Sequence, residues 1–70
     1  MSVRKAILRS FDSGGYTATV QLAGSHKIYL EGVPVARNIP AGEMALGRKV
    51  AVVFFDVHNA KEAVVIAVYT

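Results

Sequence analysis

The chain of 70 residues contains no cysteine, which excludes disulfides, CxxC redox chemistry and thiolate zinc sites. It has no tryptophan and only two prolines, Pro34 and Pro40. Its two histidines, His26 and His58, are too few for a closed structural metal site without further ligands. No apolar run approaches the roughly 20 residues that a membrane-spanning helix needs. The start, MSVRKAILRSF, has a basic flank but only three consecutive apolar residues, Ala6 to Leu8, too few for a secretory signal. An intracellular product, or a particle assembled inside a cell, is the expectation.

What is present is apolar and strand-like. Hydrophobic residues make up 53% of the chain and charged ones 19%, which argues against a disordered tail. The apolar residues are mainly Val, Ala and Ile interrupted by glycine, a composition that suits strands. The length fits one domain over residues 1–70. A domain this small buries only about 60% of its unfolded surface, so its core is marginal by itself. With disulfides and metal set aside, oligomerisation is the remaining staple.

Along the chain, Val3 to Phe11 fits either a helical stripe (Val3, Ile7, Phe11) or a strand with Ala6 and Leu8 on one side. Asp12 to Gly15 is a turn signal. From Tyr16 to Leu22 the period is two: Tyr16, Ala18, Val20 and Leu22 face inward, and Thr17, Thr19 and Gln21 face outward. A short turn at Ala23 to Ser25 leads into a third strand, His26 to Glu31. There Ile28 and Leu30 are expected inside, and Lys27, Tyr29 and Glu31 outside. Gly32 to Val35 breaks that run, because proline lacks the donor a central ladder needs.

Residues 36–47 read as a structured crossover with a helical turn around Glu43 to Leu46, and with Ile39, Met44 and Leu46 available to plug a core. The last two strands, Lys49 to Val57 and Glu62 to Tyr69, flank a hairpin loop at His58 to Lys61. Five short strands predict an all-β fold, a small five-stranded antiparallel barrel, since closure removes exposed edges. The crossover favours an OB-like barrel; an SH3-like barrel is the alternative.

The last hairpin carries the main functional signal. Val50, Val52 and Phe54 share one face with Val64, Ile66 and Val68, the set expected inside. The opposite set is also apolar: Ala51, Val53 and Phe55 on one strand, Val65, Ala67 and Tyr69 on the other. A contiguous apolar patch of that kind marks an interface, so these six residues are the expected homo-oligomer contact.

Signals for chemistry are weak. Ser10, Ser13 and Ser25 lack a GxSxG elbow or other nucleophile signature. The five acids, Asp12, Glu31, Glu43, Asp56 and Glu62, show no paired spacing, and Asp56 with His58 supplies only two ligands. Ser13-Gly14-Gly15 lacks the spacing of a phosphate-binding loop. The reading is a chain with no enzymatic activity and no cofactor. The net charge of +3 and the residues Arg4, Lys5, Arg9, Lys27 and Tyr29 form the second reading, a single-stranded nucleic-acid-binding module.

The stretch LGRKVAVVFF, followed by a polar loop and AVVIAV, resembles the end of the OB domain in phage baseplate and tail-spike proteins. YTATVQLAG is similar to the second strand of that domain and ILRSFDSGG to its first, so the likeness covers most of the chain. Ala67 stands where the family commonly has glycine. The resemblance implies a trimeric structural part of a virion or tail-like particle that contacts other virion or tail proteins. Such a protein resides in the virion or the host cytoplasm. As the sequence ends at Thr70 without a β-helical spike, a small tail or capsid component is expected.

Overall fold

The first segment is a strand because it is paired on both sides. In the computed structural model, which describes residues 2–24, 28–56, 59 and 62–69, β1 spans Ser2–Asp12. It lies between β2 (Thr17–Leu22) and β4 (Lys49–Phe54). β3 (Tyr29–Pro34) follows β2, and β5 (Ala63–Tyr69) follows β4. All these pairings are antiparallel, giving one sheet in the order β3-β2-β1-β4-β5. The fold is all-β.

The sheet curls without closing, and its two edges approach each other at one point. Val35, just past β3, forms a parallel bridge to Val65 of β5, and the Ala36 N–H donates to the Val65 carbonyl at 2.9 Å. Among the described residues no continuous ladder joins β3 to β5, so the expected closure is partial. A central β1, with the crossover leading from β3 to β4, is the strand order in which the expected OB-like barrel would be built, here as an open sheet.

The concave side is filled by Leu8, Val20, Val33, Val50, Val52 and Val65, all fully buried. Removing each such side chain from water contributes about 1.5–3 kcal/mol, the main force holding the sheet curled. The crossover contributes Ile39 and Met44, both buried, as the alternation-free sequence had suggested. Leu46 is different: it is 68% exposed and plugs nothing. The short helical turn is a 3-10 turn at Ala41–Glu43, earlier than the expected Glu43 to Leu46.

Tyr16 fastens this crossover to the first hairpin. Its hydroxyl donates to the Ile39 carbonyl, and its ring meets Phe11 edge-on at 5.2 Å between centroids. The Arg37 guanidinium sits 5.3 Å from the centre of the same ring, within cation–π range. Below it the turn read from the sequence is made by Asp12, whose Oδ1 accepts the Gly14 N–H at 2.9 Å.

Irregularities in three ladders overturn parts of the simple alternation. On β1 the register shifts between Leu8 and Ser10, so Phe11 packs against the core. On β3 the residues Glu31 and Gly32 together oppose Thr19, and Gly32 adopts φ +67°, a conformation that favours glycine. The strand therefore runs on through Val33 and Pro34 rather than breaking at Gly32. Pro34 is tolerated because β3 is an edge. Ile28, expected inside, is 48% exposed, while Leu30 does pack on the core.

On β5, Ala51 opposes Ala67 but Val52 opposes Val65, which makes Ile66 the extra residue. The bulge reverses the parity of the first half of the strand. Ala63 and Val65 point into the core, whereas Val64 is half-buried and Ile66 is 42% exposed. Val65, expected on the outer interface, is thus a core residue, and Val64 and Ile66 leave the expected inward set. Val68, beyond the bulge, packs on the core as expected.

Candidate functional site: a divided outer face

The ladder registers place the side chains of the outer, convex side in rows across the strands, some exposed and some, such as Gln21, buried by their neighbours. At one end Val3 lies opposite Val53, and Val53 opposite Val64. The next row is Lys5, Ala51 and Ala67. The third crosses all five strands: Tyr29, Gln21, Ile7, Lys49 and Tyr69 are successive Cα partners. Cross-strand partners have Cβ atoms about 5 Å apart, so each row is a contact surface.

The first end is apolar. Val3 is 60% exposed, and Phe55, just beyond β4, is 58% exposed. Val53 is only 8% exposed although it lies outside the core cluster, because its cross-strand neighbours Val3 and Val64 flank it. Ala51 is half-buried and Ala67 exposed. Five of the six residues expected at an interface therefore lie on or beside the outer face, Val65 being the exception.

The other end is basic and aromatic. Arg9 donates to Gln21 Oε1 through both Nε, at 2.9 Å, and a terminal guanidinium nitrogen. That bond holds Arg9 against Gln21 of β2, whose cross-strand partner Tyr29 is half exposed. Lys5, Ala6, Ile7, Ala23, Lys49 and Tyr69 line a shallow open depression of about 220 Å³. Among the described residues Lys5 and Lys49 have no carboxylate partner; the ion pair present, Arg48 with Glu43 at 3.1 Å, lies in the crossover.

Of the expected nucleic-acid contacts, Lys5, Arg9 and Tyr29 share this face. Arg4 does not: it lies opposite Val52, on the alternation of Ala6 and Leu8, and so takes the other side of β1. Lys27 lies outside the described residues, as do Ser25, His26 and His58. Gln21 lies on the outward face expected for nucleic acid, while Lys49 and Ile7 are additions to that set and Tyr69 belongs to the expected apolar surface. Their shared row follows from inter-strand register, which no local pattern encodes.

Among the described residues no group of three His, Cys, Asp or Glu is placed to hold a metal ion. Among the described residues no helix is long and apolar enough to cross a membrane. The chain matches no protein-family model, no curated protein and no solved structure.

Proposed function

We propose that this chain is a structural assembly module that forms a homo-oligomer through the apolar end of its outer face. The observation that carries the reading is the Val3, Val53 and Val64 row, with Phe55 at its end. A chain of 70 residues with a marginal core gains most from covering such a row with a partner copy. Closed symmetry suits a face that must be buried without leaving a second one open. The contact set consists of Val3, Ala51, Val53, Phe55, Val64 and Ala67, with Tyr69 at its border.

The resemblance of LGRKVAVVFF and AVVIAV to the OB domains of phage baseplate and tail-spike proteins supports a place in a virion or tail-like particle. On that reading the assembly is a trimer, and further virion or tail proteins are its partners. Light scattering on the purified chain at micromolar concentration tests the reading. A discrete oligomer is expected, and a monomer at every concentration contradicts it.

A further inference from the structure

We propose that the opposite end of the outer face is a track for single-stranded nucleic acid, running across the strands from Tyr29 to Tyr69. It shares Tyr69, at the border of the assembly contact set, and no other residue of that set, and the Phe55→Asp variant tells the two readings apart.

Three observations point to this ligand. The first is the row itself, in which two exposed tyrosines terminate a line through Gln21, Ile7 and Lys49. Strands lie about 4.8 Å apart, so four spacings make a backbone path of roughly 19 Å from β3 to β5, followed round the curved convex side of the sheet. A stacked strand advances about 3.4 Å per nucleotide, which makes that span about five or six nucleotides. This lies within the roughly 4–16 nucleotides that a barrel of this kind covers.

The second is charge. Lys5, Arg9 and Lys49 all lie on or beside the row, and no carboxylate is in it. Glu31, at the β3 bulge, is the nearest acid along that strand, and it borders the track at its edge. Arg9 is held by Gln21 through one oxygen, which positions the guanidinium while leaving donors for phosphate oxygens.

The third is the type of surface between the charges. Ile7, Ala23 and Tyr69 line the same depression as Lys5 and Lys49, so apolar and aromatic side chains stand among the basic ones. A base presents a flat apolar face alongside its phosphate, and a stacked base on tyrosine is tolerant of sequence. An acidic peptide matches the ammonium groups but makes no use of tyrosines at both ends. Duplex DNA offers phosphates with its base faces already stacked.

Fluorescein-labelled dT12 provides the probe, with anisotropy read at 50 and 200 mM salt. Three phosphate contacts predict a log–log salt slope of about −2, a weakening of roughly 20-fold over that range. Tyr29→Ala and Tyr69→Ala each weaken binding about tenfold with the slope unchanged, while Tyr29→Phe and Tyr69→Phe retain it. Lys49→Glu lowers the slope. Circular dichroism confirms that each variant is folded, and Phe55→Asp still binds because the track does not contain it. No binding at 50 mM salt overturns the proposal. So does equal affinity for a 12-base-pair duplex. Displacement by polyglutamate, with both alanine variants binding as wild type, overturns it in favour of an acidic protein partner.

Discussion

Val35 is bridged in parallel to Val65 across the open side of the sheet, and Val65 is fully buried there. One residue thus closes the curl of the sheet with its backbone and fills the core with its side chain. The backbone link is carried by Ala36 N–H to Val65 carbonyl at 2.9 Å, and the side-chain role depends on the bulge at Ile66.

Val65→Ala should therefore destabilise the fold by about 2 kcal/mol, lost burial plus a residual cavity. For a domain this small that lowers Tm by about 10 °C in a thermal melt. The neighbouring Ile66→Ala removes an exposed side chain and should change Tm by much less. Equal effects at the two positions would contradict the bulge.

Tyr16→Phe should cost about 1 kcal/mol, the net worth of the hydrogen bond to the Ile39 carbonyl. The edge contact with Phe11 and the stacking of Arg37 survive in phenylalanine, so the loss isolates the hydroxyl. Denaturant unfolding measures it through the midpoint. A variant as stable as wild type would show that the crossover is held by Ile39 and Met44 packing alone.

Gly32→Ala should destabilise by about 1 kcal/mol, because φ +67° strains any residue with a Cβ. Nothing lies within 4 Å of the added methyl, so the cost is backbone strain and not a clash. Gly42→Ala is the control, since its Cβ also meets open space and its φ is not positive. Its unfolding free energy should stay within a few tenths of a kcal/mol of wild type.

The strand count, the inward set of β4 and the turn at Asp12 were legible in the sequence. Val50, Val52 and Phe54 alternate without interruption, so period two is enough to place them. The third strand and the last one were misread for a single physical reason. A bulge adds one residue to one side of a ladder and reverses every facing beyond it. At Gly32 a signal is present, since glycine inside a strand pattern marks a bulge, but Pro34 two residues on gives the stretch the look of a break. At Ile66 there was no signal, because both parities of AVVIAVY are apolar. The division of the outer face was hidden for a related reason. Tyr29 and Tyr69 stand 40 residues apart in sequence and meet one row only through four ladders.

Phe55→Asp should separate assembly from folding. Phe55 is 58% exposed in the single chain and outside the core cluster, so a carboxylate there leaves the fold intact. In an oligomer built on the apolar end, the same carboxylate is buried without a partner and is strongly unfavourable.

Sedimentation velocity on wild type and Phe55→Asp, side by side across a concentration series, tests the central claim most directly. A discrete wild-type oligomer and a folded, monomeric variant are the predicted result. Wild type sedimenting as a monomer throughout, or Phe55→Asp retaining the same oligomer, would contradict the account.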